Sequence, residues 1–439
     1  MNTQTAVKHV ISAWTKRTTL FLRWVLTISL AAILPVAGCA ATFNIPNGDV
    51  AGLIAALKTA NGNGVADTIN LASGGTYTLT AAHNTGYYGP NGLPGISTPI
   101  TINGNGATIQ RSSVVGTPDF RIFIVGSAPA YLTLDGVTIR GGTAPSWSGG
   151  ALLNTGGALV RSSTLAENTG GLGGAIFNYC GALTVLNSTI SRNSSFSGYS
   201  GGGILNFSSY CQSTTAIINS TVFENRADGP AGFQGRGDAI ADSFGGAGWV
   251  VVKNSILASP THGLGNDFYH TGGNLLPWTS LGHNIVSNAS GGLKGAGDLN
   301  NTNPLLAALA SNGDPTQTHA PLPGSPAING VPVANCTDAN GIPITADQRG
   351  IVRPQGVACD IGSVERVNTT GSPCFQVLKS FTGLDGATPV AGLIQDSAGA
   401  LYSTAFAGGS SGYGTAFKLN PDGTGFPCAR ASRGRSLRR

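Results

Sequence analysis

The segment LTVLNSTISRN at residues 183–193 aligns without gaps with four other segments of this chain. These are LTLDGVTIRGG from Leu132, ALVRSSTLAEN from Ala158, TAIINSTVFEN from Thr215 and WVVVKNSILAS from Trp249. In alternation with them stand GGALLN from Gly149, GGAIFN from Gly173, GGGILN from Gly201 and GDAIAD from Gly237. The five segments begin 26, 25, 32 and 34 residues apart. A two-part unit repeated at such a period predicts a solenoid.

Apolar residues recur at two fixed positions of this repeat, and most of them are β-branched. They are Leu134, Val160, Val185, Ile217 and Val251 at the first position, and Ile139, Leu165, Ile190, Val222 and Ile256 at the second. Short apolar runs broken by Gly, Asn and Ser are typical of strands bounded by turns. A helical repeat would need apolar residues at helical spacing, which the units lack. We predict an all-β fold, a parallel β-helix with about three strands per coil and about nine coils between residues 64 and 290.

Asparagines recur at two further positions of the repeat: Asn168, Asn193 and Asn225 in one series, and Asn154, Asn178 and Asn206 in the other. Asn tolerates left-handed backbone and bonds neighbouring backbone groups at turns. We therefore interpret both series as stacked turn ladders. The alternative is a row of amides that binds a ligand.

The first 41 residues have the pattern of an export signal. Lys16, Arg17 and Arg23 precede an uncharged stretch from Trp24 to Ala37, which suits the apolar core of a signal peptide. The sequence LPVAGC, ending at Cys39, resembles the lipobox of bacterial lipoproteins, and by that resemblance Cys39 is the lipid attachment site. The alternative is ordinary cleavage near Ala40 or Ala41, which would discard Cys39.

Export makes the remaining cysteines candidates for disulfides, because such bonds persist in oxidising compartments. Cys336 and Cys359 flank one loop and form the first predicted pair. Cys180 and Cys211 lie just beyond the asparagines of adjacent coils and form the second. Cys374 and Cys428 remain for the tail. No CxxC or Cys/His spacing typical of zinc ligands is present, so no metal site is predicted.

Residues 42–63 are predicted to cap the N-terminal end of the β-helix. Asp49 is placed to cap a helix in which Val50, Leu53, Ile54 and Leu57 share one face, and Asn61-Gly62 is expected to end it. An amphipathic helix would cover the unpaired edges and apolar cross-section of an open β-helix end. The coils are assigned to residues 64–297.

The chain has a formal net charge of +5, but basic residues are concentrated at its two ends. Without the first 41 and last twelve residues, 15 basic residues face 19 acidic ones. This balance does not indicate a nucleic-acid partner.

Two C-terminal stretches, DLNNTNPLLAALASNGDPTQTHAPLPGSPAI from Asp298 and DQRGIVRPQGVACDIGSVE from Asp347, resemble the closing segment of choice-of-anchor Q proteins. Those are bacterial surface or secreted proteins with a right-handed, pectin-lyase-like β-helix. The resemblance spans residues 42–366 and makes 298–366 the closing segment. The GGAI and FEN pieces are also similar to repeats of chlamydial polymorphic outer-membrane proteins, which are adhesins. Neither resemblance supplies catalytic residues.

Charged residues of the closing segment are predicted to form an ion-pair cap rather than a site: Asp347, Arg349, Arg353, Asp360 and Glu365. Residues 367–425 are similar to one unit of the GloVer-type tandem repeat. Residues 426–439 form a basic tail, which we expect to be disordered. The break in pattern near Gly425 suggests truncation or a frame shift.

Catalysis is the rival interpretation, because pectin-lyase-like folds often cleave polysaccharides with Asp-bound calcium or paired carboxylates. The candidate catalytic residues are Asp228, Arg236, Asp238 and Asp242 on a long insertion, with His262, Asp267, His270 and His283 further along. Charged residues on an insertion are more typical of a solvated loop. Apart from calcium under this rival interpretation, no cofactor is predicted.

Binding is the favoured function, because a stacked sheet offers a long face on which aromatic rings can contact sugar rings. The candidate aromatic residues are Trp147, Tyr179, Phe207, Tyr210, Phe233, Tyr269 and Trp278. We therefore expect an exported protein at the bacterial cell surface, outer membrane or exterior, which binds a polysaccharide or cell-surface component and touches a membrane only through a lipid anchor.

Overall fold

The computed structural model describes residues 39–86, 88–197, 200–208, 211–228, 236–243, 248–259, 266–270, 278–313, 315–367, 379–396, 400–420 and 428–430, with backbone alone at 236, 243, 248 and 428–430. The polypeptide divides into two compact units between Val367 and Asn368. The first unit is a parallel β-helix. No helix among the described residues is long and apolar enough to span a membrane.

The first face of the β-helix is a parallel sheet, which we call the nine-stranded face. Its strands, in spatial order, are Thr42–Ile45, Asp67–Leu71, Pro99–Asn103, Tyr131–Asp135, Gly157–Arg161, Ala182–Leu186, Ser213–Ile218, Gly248–Lys253 and Thr279–Ser280. Sequence order and spatial order coincide, so each coil lies directly on the one before it.

The next face along each coil is the eight-stranded face. It contains Thr76–Leu79, Thr108–Arg111, Thr138–Arg140, Thr164–Ala166, Thr189–Ser191, Thr221–Phe223, Ile256–Ala258 and Ile285–Val286. A short four-stranded face follows, formed by Thr143–Ser148, Thr169–Leu172, Ser194–Ser195 and Arg226–Ala227. The central coils therefore contain four strands each, one more than predicted.

The seven-stranded face completes each turn. Its strands are Phe123–Val125, Leu152–Asn154, Ile176–Tyr179, Ile204–Phe207, Ser200–Gly201, Arg236–Ser243 and Asn266–His270. An antiparallel hairpin, Asn84–Gly86 with Gly89–Asn91, branches from an early coil.

The solenoid has about seven turns rather than the predicted nine, since eight strands of the nine-stranded face lie between residues 64 and 290. Insertions lengthen the later coils: the paired residues Leu186, Ile218 and Lys253 lie 32 and 35 positions apart. Fewer coils therefore fit into the same length of chain.

The register of the fifth repeat differs by one residue from the gapless alignment. Thr214 pairs with Trp249 and Thr221 pairs with Ile256, not with Ser255. Burial explains the shift, because Val250 and Val252 point into the core while Trp249 is 56% exposed. In a strand, moving the register by one residue exchanges the two faces.

The N-terminal capping helix is present as Val50–Asn63. Asp49 accepts a hydrogen bond from the Gly52 amide at 2.7 Å, and Leu53 and Leu57 are buried against the core. The helix continues two residues past the predicted stop, because Gly64 rather than Gly62 adopts the left-handed φ of 75° that closes it. The strand Thr42–Ile45 precedes the helix, so the predicted cap also contains the first strand of the solenoid.

The asparagines form two stacked ladders, of which the first lies at a turn as predicted. Asn168 donates to Asn193 at 3.0 Å and Asn193 donates to Asn225 at 2.9 Å, all three side chains being fully buried. The residues before them take left-handed backbone at the turn: Glu167, Arg192 and Glu224. The Asn154 series is equally buried, but Asn154, Asn178 and Asn206 all lie within strands, so its predicted position at a turn is wrong.

The closing segment begins on the last coil, where Leu299 pairs with Ile285, and then runs along the outside of the eight-stranded face. Its Ser363 bonds Thr221, and its Gln348 bonds both Thr189 and Thr164. Earlier in the closing segment, the Gln317 carbonyl accepts a hydrogen bond from the Thr164 hydroxyl at 2.6 Å. The segment therefore buries the row of threonines that marks the repeat.

The predicted ion pairs of the closing segment are formed, but they lie beside the eight-stranded face rather than in a cap. Arg349 lies 2.7 Å from Asp347, and Arg353 lies 3.1 Å from Glu365. Asp360 instead accepts amide hydrogen bonds from Asn329 and Arg366. Burial lowers the pKa of Arg353 and raises that of Glu365.

Both predicted disulfides are confirmed, with Cα–Cα distances of 5.5 Å for Cys180–Cys211 and 6.2 Å for Cys336–Cys359. Cys39 is a free, exposed cysteine. Cys374 lies outside the described residues, and Cys428 is described by its backbone alone.

The second unit contains an antiparallel sheet of Ile394–Gln395, Leu401–Ala405, Thr415–Leu419 and Cys428–Arg430. Phe381 packs edge-on against Phe417 within it, with ring centroids 5.1 Å apart.

Candidate functional site

The outer surface of the seven-stranded face carries a cluster of large apolar side chains. Phe177 pairs in register with Leu205, Leu205 with Ala241, and Ala241 with Tyr269. Their neighbours Ile176, Ile204 and Ile240 point inward and belong to the main core. Because side chains alternate along a strand, Phe177, Leu205 and Tyr269 form a second, outward layer.

Five aromatic residues in this layer form what we call the aromatic row: Tyr88, Phe177, Tyr179, Phe207 and Tyr269. The rings of Phe177 and Tyr179 are stacked at 5.8 Å, and Phe207 lies 5.6 Å from Tyr179. Tyr88, next to the hairpin, meets Tyr179 edge-on at 6.1 Å. Phe177 is buried, whereas the other four are half-buried.

The structure brings together three of the seven aromatic residues predicted from sequence, namely Tyr179, Phe207 and Tyr269. Trp147 is 43% exposed on the four-stranded face, and Trp278 packs edge-on against the core residue Phe268 at 4.7 Å. Tyr210 and Phe233 lie outside the described residues.

Sequence reasoning missed Phe177 and Tyr88. Strand alternation in GGAIFN would have identified Phe177 as outward, since it stands between the inward Ile176 and Asn178. Tyr88 reaches the row from a hairpin that has no counterpart in the other coils. The repeat pattern therefore could not predict its position.

A carboxylate and an imidazole end the Asn154 ladder, on the opposite side of these strands from the aromatic row. Asn206 donates to Asp242 Oδ1 at 3.2 Å, and His270 Nδ1 lies 3.2 Å from Asp242 Oδ2. Asp242 is buried, whereas the His270 side chain is 35% exposed. The two residues occupy paired positions on adjacent strands.

Burial raises the pKa of Asp242, and its bonds from Asn206 and His270 oppose that rise. When Asp242 is ionised it can only accept, so Nδ1 of His270 must carry the proton and Nε2 is the basic nitrogen. This arrangement is suited to orienting an imidazole that exchanges a proton at the surface.

The remaining candidate catalytic residues do not converge on this pair. Asp238 is buried and accepts from the Ala227 amide at 2.9 Å. Asp228 pairs with Arg226, and only the backbone of Arg236 is described. These contacts give Asp228 and Asp238 structural roles in the insertion.

Asp267 and His283 likewise bind neighbouring chain. Asp267 accepts the amides of Ser259 and Ser287, and burial raises its pKa. His283 contacts the Gly330 carbonyl and the Asn335 amide of the closing segment at 3.1 and 2.8 Å. His262 lies outside the described residues.

Within the described part of the chain, no group of three or more His, Cys, Asp or Glu side chains is arranged to hold a metal ion.

Residues 73–264 match the family model described as a right handed beta helix region. The match covers the central coils, and the solenoid is accordingly a right-handed β-helix. Neither a curated protein nor a solved structure matched the chain.

Proposed function

We propose that this protein is a carbohydrate-binding β-helix whose aromatic row contacts a polysaccharide. The observation that carries the proposal is a cluster of aromatic rings on one outward face, contributed by the strands Ile176–Tyr179, Ile204–Phe207 and Asn266–His270. Aromatic rings offer flat apolar surface at low entropic cost, and tyrosine adds a hydroxyl for hydrogen bonding. A row repeated along the solenoid axis suits an extended chain of sugar rings better than a compact ligand.

Export to the cell surface is part of the proposal. Two disulfides support an oxidising compartment, and the exposed Cys39 stands three residues before the first strand. We propose that Cys39 carries the lipid anchor. The choice-of-anchor Q and GloVer assignments are also proposals, supported by the sequence stretches from Asp298, Asp347 and Val377.

The test is retention of the full chain, produced in an oxidising compartment, on insoluble cellulose, chitin, xylan, mannan and pectin. Tyr179→Ala and Phe207→Ala should each weaken retention on the bound glycan by about tenfold. Trp249→Ala is the matched control, because Trp249 is exposed on a different face. Equal retention of all three variants, or no retention of the unaltered chain on any glycan, would contradict the proposal.

Polysaccharide cleavage is the second candidate function, favoured by the Asp242–His270 pair alone. If the pair transfers protons, the unaltered chain releases reducing ends or unsaturated products from a retained glycan. Asp242→Asn should then abolish release while leaving retention unchanged. Product release that survives both Asp242→Asn and His270→Gln would exclude this site.

A further inference from the structure

A second concave site lies where the closing segment meets the turns between the nine-stranded and eight-stranded faces. It is a cleft of about 460 Å³, within the range of roughly 300–1,000 Å³ typical of small-molecule sites. One wall carries Asn103, Asn105, Asp135 and Asn187, and the other is the turn at residues 346–350. The aromatic row does not line it.

The amide groups on the first wall are oriented by their partners. Asn105 Nδ2 donates to the Leu71 carbonyl at 3.0 Å, and Asn187 Nδ2 donates to the Ala346 carbonyl at 2.9 Å. A carbonyl can only accept, so these bonds fix which end of each amide is nitrogen. Asn103 Nδ2 donates to the side-chain oxygen of Asn70 at 2.9 Å. Each amide therefore has its oxygen left over for another donor.

Like Asn254, which occupies the same turn two coils further on and does not line the cleft, Asn187 has an unsatisfied side-chain oxygen. It is only 8% exposed, and its Oδ1 is buried and accepts no hydrogen bond from any described residue. Leaving a buried acceptor unsatisfied costs about 1–3 kcal/mol. Because the oxygen itself is buried, a donor bound in the cleft would remove that cost only after the Asn187 side chain shifts toward it.

The second wall contributes shape rather than open donors. The Gln348 side chain is already hydrogen-bonded to Thr189, Thr164 and Thr316, and Arg349 is paired with Asp347. Asp135 is paired with Arg161 at 2.5 Å. The two ion pairs cancel in charge, so the cleft has no excess charge to attract an ion.

We propose that this cleft binds a neutral sugar ring, either as a free monosaccharide or as the terminal unit of a glycan. A sugar ring carries hydroxyl donors around its whole edge, which matches acceptors spread over several coils. The volume exceeds what a single cation or ammonium group fills. This site is independent of the aromatic row, and its ligand would be held by hydrogen bonds instead of ring contacts.

The experiment is saturation-transfer NMR and calorimetry on the full chain with glucose, galactose, mannose, xylose and their methyl glycosides, and with calcium chloride. At least one sugar should bind. Asn187→Gly, which keeps the left-handed backbone at φ 46°, should weaken that binding by about three- to tenfold. Binding of a methyl glycoside as well as the free sugar would identify a terminal glycan unit as a ligand, whereas binding of the free sugar alone would identify the monosaccharide.

Asn254→Gly is the matched control. Asn254 occupies the same turn two coils further on, has φ 49°, and tethers the closing segment through the Asn335 carbonyl at 2.8 Å, yet does not line the cleft. It should lower the thermal midpoint much as Asn187→Gly does, without weakening sugar binding. Tyr179→Ala should also leave this binding unchanged, which separates the cleft from the aromatic row. Binding of calcium alone, no binding of any sugar, or equal weakening by both glycine variants would overturn the proposal.

Discussion

Individual asparagines stabilise the β-helix by joining its coils. Asn193 donates to the Leu165 and Ser191 carbonyls at 2.9 and 3.0 Å, and its Oδ1 accepts from the Asn168 amide at 2.9 Å. All these groups are buried, so water cannot replace the lost partner. A buried group left without a partner is costly, whereas an exposed one is not.

We therefore expect Asn193→Ala to lower the free energy of unfolding by about 1–3 kcal/mol. Asn70→Ala is the control, because Asn70 belongs to an exposed ladder between Asn44 and Asn103. Its cost should stay below about 1 kcal/mol. Chemical denaturation measures both, and equal costs would show that burial is not the decisive factor.

His319 makes stability depend on pH, because burial lowers the pKa of its imidazole. Its Nδ1 lies 2.8 Å from the Ala307 carbonyl, so Nδ1 carries the proton and Nε2 accepts from Ser191. The folded pKa is below the unfolded one of about 6.5. This contribution is complete above the unfolded pKa and is lost as pH falls toward the folded pKa.

The difference in unfolding free energy between the unaltered chain and His319→Gln should therefore shrink as pH falls below about 6.5. Comparing the two proteins cancels the carboxyl groups whose pKa values burial raises: Asp242, Asp267, Asp360 and Glu365. Those carboxyls contribute with the opposite sign, since a raised folded pKa costs stability as pH rises through it. A difference independent of pH would contradict the assigned role of His319.

The closing segment packs against the solenoid through a small hydrophobic core that is separate from the main one. Val331 and Ile361 pack with Phe223 and Ile256, and the Cys336–Cys359 bridge lies within the same cluster. The bridge closes a loop of 23 residues inside the segment. It holds the two stretches that flank the cleft wall in one arrangement.

Replacing both cysteines, as Cys336→Ala with Cys359→Ala, should destabilise the chain by about 2–4 kcal/mol. We expect the loss to appear first as amide exchange in residues 298–366, before the central coils exchange. Hydrogen exchange followed by mass spectrometry measures this order. Simultaneous exchange of the closing segment and coils would mean that they unfold as one unit.

The elements that could be predicted from the sequence are those specified by neighbouring residues or by the repeat. Asp49 and the apolar spacing after it specify the capping helix, and β-branched positions specify the parallel strands. The course of the closing segment could not be predicted, because Gln348 meets Thr164 across 184 residues and no repeat encodes that contact. The cleft was missed for the same reason. Three of the five residues of the aromatic row were predicted, namely Tyr179, Phe207 and Tyr269, whereas Phe177 and Tyr88 were not.

One flank of the β-helix is covered by the closing segment, and another carries the half-buried aromatic row. The closing segment buries the threonines of the eight-stranded face, while the half-buried aromatic row marks the seven-stranded face. A solenoid places equivalent positions at the spacing of its coils. A ligand with its own linear repeat can therefore contact several coils at once, which is the basis of the proposed polysaccharide binding.

The most direct measurement is a calorimetric titration with a soluble oligosaccharide cut from whichever glycan retains the protein. It compares the unaltered chain with Tyr179→Ala and with Trp249→Ala. We expect saturable binding that Tyr179→Ala weakens by about tenfold and Trp249→Ala leaves unchanged. Binding that Tyr179→Ala leaves intact, or that Trp249→Ala weakens as strongly, would contradict a ligand on the aromatic row.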